Sequence, residues 1–346
     1  MEDTDRDQSM IGSKRISGII IVCFLLAQFV FAGLTLAQEG PLASWNEGSA
    51  KSAILEFVAE TTKPASPDYV APEERIAVFD NDGTLWSEKP LYFQVMMAID
   101  QLQAMATETP EWAENQPFKA ALEEDFGAVA ASGGKGLMKL LSATQSGSSD
   151  RTFTREVEAW LDTARHPRFG KTFTELVYQP MLELLDYLRT HGFSTWIVSG
   201  SGIDFMRAWT EEAYGIPPEQ VIGSQVELDY VMDGGTPSFQ RRPGNFFFND
   251  GPNKAIAIKR HMGRQPVIAF GNSDGDLEML EWTTAGEGPR LGVLIHHTDA
   301  KREWAYDRKS DIGRLDKALD AAPEHDWLVV DMAADWARIY PWQTAP

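Results

Sequence analysis

Two aspartates stand where an apolar run of the chain ends. Asp80 and Asp82 follow the apolar residues 76–79, and Gly83 then lets the chain turn sharply. Side chains two positions apart on a strand point the same way, so both carboxylates face one small volume. Like charges this close require a cation between them or a proton on one carboxyl. A solvated, Asp-rich turn at a strand end is the alternative without chemistry.

The chemistry that suits this pair is phosphoryl transfer. The first carboxylate, Asp80, can attack phosphorus, and the second, Asp82, can hand a proton to the leaving oxygen. Mg²⁺ can neutralise the two carboxylates together with the phosphate.

A second strand end offers a place for the phosphate itself. Residues 199–202, with the sequence Ser-Gly-Ser-Gly, follow an apolar run that ends at Val198 and precede a predicted helix through Tyr214. A hydroxyl group and free backbone N–H groups at a helix N-terminus form a cradle for phosphate. A plain glycine-rich turn is the alternative.

A third strand end carries oxygen donors. Residues 271–276, with the sequence Gly-Asn-Ser-Asp-Gly-Asp, follow the apolar residues 267–270 and precede a predicted helix over 277–282. Such donors suit Mg²⁺, whereas an acidic N-cap region that favours the helix dipole is the alternative. Upstream, Lys254 opens an amphipathic segment and could reach the same pocket as a fixed positive charge.

The segments between these strand ends alternate between helical and strand patterns. Apolar residues at helical spacing predict helices over 52–60, over much of 88–176, and from Pro180 to a stop at Gly192. Short apolar runs predict strands over 76–79, 194–198, 221–222, 267–270 and 291–295. This alternation predicts an α/β fold with a mostly parallel sheet, whose sites lie at the carboxyl ends of the strands.

Composition limits the partners that such a fold can have. The chain of 346 residues is 43% hydrophobic and 24% charged, which is ordinary for a globular enzyme with one large domain and an insertion. The net charge of −20 argues against nucleic acid or anionic lipid as a partner. An anionic substrate then needs a local cationic or amide-lined pocket, so the positions of individual lysines matter.

The N-terminal segment has the pattern of an export signal. Two basic residues precede the apolar residues 16–31, and small residues follow. We predict a signal peptide over 1–37, cleaved after Ala37, and a periplasmic or secreted protein; a membrane anchor facing the same compartment is the alternative. Met10 is an alternative start. Cys23, the one cysteine of the chain, lies in this segment, so the mature protein needs no disulfide.

Taken in this order, the three strand ends and Lys254 resemble the motifs of the haloacid dehalogenase superfamily of hydrolases, and specifically of its phosphoserine-phosphatase-like branch. The resemblance implies a Rossmann-like core over 38–87 and 177–346, with a helical cap over 88–176. It also implies a small phosphomonoester as the substrate and Mg²⁺ as the cofactor.

The resemblance assigns roles to particular residues. It implies a phosphoaspartyl intermediate on Asp80 and general acid and base duty for Asp82. The phosphate-binding residues that it implies are Thr84, Ser199, Gly200 and Lys254. The metal ligands that it implies are Asp80, the backbone carbonyl of Asp82, and the last acidic loop with Asn272 and Asp276.

One residue departs from the family pattern. The last motif of the family usually begins with Gly-Asp, and here it reads Gly271-Asn272. Asn272 can still offer its carbonyl oxygen, or Asp274 or Asp276 can ligate the metal directly, and the sequence leaves these alternatives open. One negative charge fewer should weaken metal affinity.

The function predicted from the sequence is therefore an exported, Mg²⁺-dependent phosphomonoesterase. Asp82 argues against dehalogenation, because a departing halide does not need the proton that this carboxyl group would supply. A phosphotransferase or phosphomutase of the same superfamily is one alternative. A binding protein that keeps the fold and has lost turnover is another, and Asn272 is the feature that supports it.

Two aromatic features have a structural interpretation. Trp86, just after the first motif, could wall the substrate pocket, although packing in the core or cap is the favoured role. His296 and His297 end the last apolar strand, where a structural role is favoured over a metal or substrate contact.

Overall fold

The computed structural model of the protein describes residues 40–344, with the side chains of residues 244–246 excepted. The predicted signal peptide or anchor over 1–37, with Cys23, lies outside the described residues. No helix in the described part of the chain is long and apolar enough to cross a membrane.

A seven-stranded sheet forms the centre of the fold. Its order is β4-β3-β2-β1-β5-β6-β7, and all neighbouring strands are parallel except the antiparallel pair of β3 and β4. The strands are β1 (Ile76–Phe79), β2 (Ser194–Gly202), β3 (Val221–Asp233), β4 (Thr236–Phe247), β5 (Ile268–Gly271), β6 (Leu291–His296) and β7 (Leu328–Asp331). The α/β fold with a mostly parallel sheet is confirmed.

Helices surround this sheet. In chain order they are α1 (Ser49–Thr62), α2 (Phe93–Met105), α3 (Phe118–Leu122), α4 (Phe126–Ala131), α5 (Gly133–Gln145), α6 (Asp150–Thr163), α7 (Gln179–Thr190), α8 (Ile203–Arg207), α9 (Thr210–Tyr214), α10 (Pro252–His261), α11 (Leu277–Thr284), α12 (Lys317–Ala321) and α13 (Met332–Asp335). Helices α2 to α6 all fall between the first two strands.

Strand β1 is apolar throughout because both of its faces are covered. Ala77 and Phe79 belong to one hydrophobic cluster, and Ile76 and Val78 belong to another. A parallel strand with helices on both faces of its sheet reads as a continuous apolar run, which is the pattern seen here. The ring of Phe79 stacks on Phe270 of β5, with the centroids 4.6 Å apart.

The register of the three central strands brings the predicted motifs to one edge. Phe79 is paired with Ile197 of β2 and with Phe270 of β5. The next residues, Asp80, Val198 and Gly271, therefore lie at the same level of the sheet. This is the physical reason why motifs far apart in sequence meet.

Several elements differ from the prediction, and strand β7 is among those that the sequence pattern does not predict. Strand β2 continues through Gly202 rather than ending at Val198, with an irregular register against β3 between these two residues. The single helix predicted after it is two helices of five residues each, α8 and α9.

The largest difference is the long hairpin formed by β3 and β4. The sequence pattern predicts only residues 221–222 of this hairpin as a strand. Its turn is Gly234-Gly235, and both glycines have positive φ, 54° and 88°. Two glycines between alternating strand residues are a hairpin signal. Most of β3 beyond Gln225 is exposed, so it lacks the apolar run by which the other strands were found.

Candidate active site

Asp80 and Asp82 are both buried at the carboxyl end of β1. The backbone N–H of Asp80 donates to the carbonyl of Phe270 over 2.9 Å, which continues the pairing with β5. Asn81 between them is also buried, and its Oδ1 accepts a hydrogen bond from the Tyr214 hydroxyl. Both carboxylates line one cavity of about 210 Å³. The two predicted catalytic residues are thus brought together.

Lys254 is the cation of this site. It lies in the first turn of α10 and is almost fully buried, with its Nζ 2.8 Å from Asp80 Oδ1 and 2.6 Å from Asp276 Oδ1. Burial by itself lowers the pKa of Lys254, but the carboxylates of Asp276 and Asp80 raise it above its usual value. Lys254 therefore carries a fixed positive charge beside the proposed nucleophile.

The positive charge of Lys254 does not fully offset the cost of burying the carboxylate of Asp80 beside Asp276. Burial, together with the negative charge of Asp276, raises the pKa of Asp80 to about 7 in spite of Lys254. Its contact with Lys254 is a salt bridge without the geometry of a hydrogen bond, and Asp80 Oδ1 is buried with no hydrogen-bond donor. A further cation would favour the charged form.

Asp82 has a different environment, made of neutral hydrogen-bond donors. Its Oδ1 accepts from Trp86 Nε1 over 2.9 Å, and its Oδ2 accepts from Ser201 Oγ over 2.6 Å and from Ser199 Oγ over 3.5 Å. Burial raises the pKa of Asp82, and these hydrogen bonds offset only part of that shift. A carboxyl group that holds its proton more readily suits a general acid.

Trp86 combines this contact with a packing role. Its side chain is fully buried and stacks on Trp209, with centroids 4.1 Å apart, and it meets Phe93 edge to face.

His297 is likewise buried, and its Nε2 hydrogen-bonds the carbonyl of Gly83 over 2.8 Å. The histidine supports the backbone of the first motif.

The predicted phosphate-binding residues separate into two groups. Ser199, Gly200 and Lys254 line the same cavity as the two aspartates. Thr84 is fully buried instead and donates its hydroxyl hydrogen to Asn272 Oδ1 over 3.0 Å. The structure thus places Thr84 against the last loop of the site.

Asn272 packs closely on the turn after the aspartates. Gly83 has a φ of 78°, and a Cβ there would lie 2.1 Å from Asn272 Nδ2. Only a residue without a side chain allows this approach. Asn272 Nδ2 donates to Glu88 Oε1 over 2.8 Å.

Asp276 shapes the loop and holds the lysine. Its Oδ2 accepts from the backbone N–H groups of Asn272 and Ser273, over 2.9 and 3.0 Å, and from the Ser273 hydroxyl over 3.2 Å. Its Oδ1 accepts from Lys254. Both oxygens of this predicted metal ligand therefore have protein partners. Asp274 accepts from the backbone N–H groups of Asp316 and Ala318.

Three further acids line the cavity, Glu88, Asp250 and Asp311, and none of them is predicted from the sequence. Glu88 is buried, accepts a hydrogen bond from the Tyr306 hydroxyl over 2.7 Å, and has its pKa raised to about 8 by burial. Asp250 is half-buried, and burial also raises its pKa. Ser87 and Lys89 flank Glu88, so the local sequence pattern carries no signal that singles out this acid.

The oxygen donors around Asp80 fit Mg²⁺. In the described part of the chain, no three side chains of His, Cys, Asp or Glu are grouped so as to hold a metal ion. The set proposed for this chain needs fewer acidic side chains, because a backbone carbonyl and the amide oxygen of Asn272 complete it. Asp80, the carbonyl of Asp82 and Asn272 Oδ1 could supply this set, with Glu88 close by. Asp80 Oδ1 is buried with Lys254 as its ion-pair partner, and the pKa of Asp80 is still raised, so a divalent cation at this oxygen would stabilise the charged carboxylate.

The comparison with protein families identifies the class. Residues 77–281 match the family of haloacid dehalogenase-like hydrolases, and this span is more than half of the chain. The protein belongs to this family, and the superfamily predicted from the order of the motifs is confirmed. A comparison with curated proteins finds no match.

Several solved structures are similar to the chain. A conserved protein of unknown function from Anaerococcus prevotii DSM 20548 is 17% identical, with a TM-score of 0.48, over 81% of this chain and 91% of that chain. A probable phosphoserine phosphatase from Vibrio cholerae is 16% identical, with a TM-score of 0.38, over 75% of this chain and 68% of that chain. A phosphoserine phosphohydrolase-like protein from Francisella tularensis subsp. tularensis SCHU S4 is 15% identical, with a TM-score of 0.37, over 64% and 87%.

Proposed function

We propose that this protein is an exported, Mg²⁺-dependent phosphomonoesterase that works through a phosphoaspartyl intermediate on Asp80. The observation that carries the proposal is the burial of Asp80 and Asp82 in one cavity but in different environments. Asp80 faces the ammonium group of Lys254, whereas Asp82 accepts hydrogen bonds from Ser201 and Trp86. Lys254 favours the charged form of Asp80 that a nucleophile requires, whereas burial raises the pKa of Asp82, which favours the protonated form that a general acid requires.

The reaction proceeds in two halves. First, an Asp80 carboxylate oxygen bonds to phosphorus while the bond from phosphorus to the ester oxygen breaks, and Asp82 gives its proton to that oxygen. Then a water oxygen bonds to phosphorus while Asp82 takes a proton from that water, and the bond from phosphorus to Asp80 breaks. Inorganic phosphate leaves, and both side chains return to their starting states.

The rest of the cavity serves to hold charge. Lys254, Ser199 and the backbone at Gly200 line it and are the proposed contacts of the phosphate oxygens. Mg²⁺ held by Asp80, the carbonyl of Asp82 and Asn272 would supply positive charge against the phosphate and the carboxylates.

The test of this mechanism is phosphate release by two isosteric variants. Asp80→Asn should abolish turnover of p-nitrophenyl phosphate. Asp82→Asn should cost on the order of 10²- to 10⁴-fold with an alkyl phosphate, and less with p-nitrophenyl phosphate, whose leaving group needs no proton. Asp68→Asn, at an exposed position, is the matched control. Wild-type turnover by Asp80→Asn, or equal losses with both esters in Asp82→Asn, would contradict the mechanism.

Export is the part of the proposal that the sequence alone supports. A signal peptide over 1–37 predicts a mature protein that begins at Gln38. N-terminal sequencing of protein recovered from the periplasm or the medium tests this prediction. Recovery of the intact N-terminus in the cytoplasmic fraction would contradict it.

We further propose that the segment 88–176 acts as a cap that selects the leaving group. Support comes from the lining of the catalytic cavity. It includes Gln94 and Val95 of α2 and Leu137 and Met138 of α5, so the segment contributes directly to the surface that a substrate would meet.

A further inference from the structure

A second cavity adjoins the catalytic cavity and differs from it in charge. Five carboxylates and one lysine line the catalytic cavity. The second cavity, of about 350 Å³, is lined by one carboxylate, that of Asp204, and by the four cationic side chains of Lys135, Lys139, Arg241 and Arg242. We call it the cationic cavity. This concentration of positive charge is unusual in a chain with a net charge of −20, so a function in the cavity should account for it.

The two cavities share part of their lining. Gln94, Met138, Leu141 and Gly202 line both of them. Gln94 is held in place between them, because its Oε1 accepts from the backbone N–H of Gly202 over 2.7 Å and its Nε2 donates to Gln145 Oε1 over 2.8 Å. A ligand that extends from Asp80 past Gln94 would reach the cationic cavity.

Gln145 presents an unused hydrogen-bond donor in the cationic cavity. Its side chain is 4% exposed, and its Nε2 is buried without a hydrogen-bond partner. Its Oε1 is already occupied by Gln94, so the amide orientation leaves Nε2 for another acceptor. Buried amide donors are nearly always satisfied in folded proteins, because an unpaired one costs free energy. An acceptor group in the cavity would satisfy this one.

Arg241 is fixed beside that donor. Its Nε donates to the carbonyl of Gln145 over 3.0 Å, and its Nη1 donates to Asp204 Oδ2 over 2.5 Å. The guanidinium group also lies 4.0 Å from the ring centroid of Phe153. Asp204 already pairs the charge of Arg241, so what this fixed guanidinium group offers an anion is its remaining N–H groups.

The two lysines of the cationic cavity are not neutralised by neighbouring acids. Neither Lys135 nor Lys139 forms an ion pair with any described residue. Lys139 donates to the carbonyl of Gln116 over 3.3 Å. Arg242, by contrast, is paired with Glu227 and Asp229, over 3.2 and 3.4 Å. The cavity therefore keeps a net positive charge.

We propose that the cationic cavity binds an oxyanion group, either a phosphate or a carboxylate. The group can be the far end of a phosphomonoester substrate that carries a second anionic group, which rests on the proposed function, or it can be a free anion. In both cases the binding groups are Gln145 Nε2, Arg241 and the two lysines.

Matched substrates and matched variants test this proposal. Alkanediol bisphosphates of increasing chain length are compared with the corresponding alkyl monophosphates. In the wild-type protein the best bisphosphate should exceed its monophosphate about tenfold in kcat/KM, and in the double variant Lys135→Gln/Lys139→Gln this ratio should fall toward one. Lys119→Gln, an exposed lysine of α3 outside both cavities, should leave the ratio unchanged.

A second measurement identifies a free anion. Thermal melting with inorganic phosphate is recorded for Asp80→Asn, with and without the two lysine substitutions. No preference for bisphosphates, but a phosphate-induced rise in Tm that shrinks without the lysines, would assign the cavity to a free anion. Neither a bisphosphate preference nor a lysine-dependent rise in Tm would overturn the proposal. This melting result does not depend on turnover, so it separates failure of the cavity from failure of the proposed phosphatase activity.

Discussion

The amide of Asn272 and the carboxylate of Glu88 form a buried hydrogen bond of 2.8 Å, with Asn272 Nδ2 as the donor. The amide therefore stands where the family usually has an acid, and it is paired with an acid from another segment. An asparagine can donate to Glu88 and offer its oxygen to Thr84, which an aspartate cannot do. The carboxyl group missing from the last loop is thus present nearby, on Glu88, and a bound cation would favour its charged form over the raised pKa of about 8.

This pairing predicts how charge at position 272 affects metal binding. Asn272→Asp would place two carboxylates at hydrogen-bond distance, so the metal-free variant should melt at a lower temperature than the wild type. Mg²⁺ should stabilise the variant more than the wild type, because the added carboxylate attracts the cation. Thermal melting and calorimetric titration with Mg²⁺ measure both effects.

The matched variants for that prediction exchange the two groups. Glu88→Gln should weaken Mg²⁺ binding, and Glu88→Gln/Asn272→Asp should recover much of it, since the net charge of the pair is restored. Asn115→Asp adds the same charge at an exposed position and is the control. Equal Mg²⁺ affinities in the wild type, the two single variants and the double variant would show that neither Glu88 nor Asn272 lies within reach of the metal.

Removal of the buried lysine should be costly. Lys254→Met leaves the carboxylates of Asp80 and Asp276 without their cation in a buried site, and the free energy of unfolding should fall by about 3–5 kcal/mol. Lys259→Met, on the exposed face of the same helix, should change it little. Chemical denaturation of the two variants measures the difference. Equal stabilities would mean that the site tolerates the unpaired carboxylates.

Ser201 and Ser199 should differ in their effect on the pH profile. Ser201 Oγ lies 2.6 Å from Asp82 Oδ2 and stabilises the charged carboxylate, which lowers the pKa of Asp82. Ser201→Ala should therefore raise that pKa, so the protonated acid persists to higher pH. The alkaline limb of kcat/KM for an alkyl phosphate should then move to higher pH.

Ser199→Ala is the matched comparison, because its hydroxyl lies 3.5 Å from the same oxygen. We expect a smaller shift of the pH profile and a larger increase in KM, since Ser199 is a proposed phosphate contact. A shift of the alkaline limb to lower pH in Ser201→Ala would contradict the assignment of Asp82 as the acid.

The parts of the site that the sequence predicts are those that local patterns encode. An apolar run followed by polar residues marks the end of a parallel strand, and parallel strands place their ends together. Asp80 and Ser199 are predicted on this basis, Lys254 is predicted from the amphipathic segment that it opens, and all three line one cavity. The order of the motifs along the chain was enough to identify the family.

The remaining features depend on contacts between distant segments. Glu88 meets Tyr306 across 218 positions of the chain, and Thr84 meets Asn272 across 188. Neither contact leaves a periodic trace in the sequence. The role of Asp276 in holding Lys254 is of the same kind, since the spacing of acids in a loop does not tell which oxygens the backbone will occupy.

The last prediction concerns how the cap selects a substrate. Met138 of α5 lines both the catalytic cavity and the cationic cavity. Met138→Trp should fill that space and lower kcat/KM for bulky phosphate esters far more than for methyl phosphate, because the groups around phosphorus are untouched. Met105→Trp, at an exposed position of α2, is the control for the added indole ring. The measurement is the ratio of kcat/KM for a bulky and a small ester in each protein. If Met138→Trp lowers kcat/KM equally for both esters, α5 has no part in substrate selection. Recognition must then come from the loops that follow the strands.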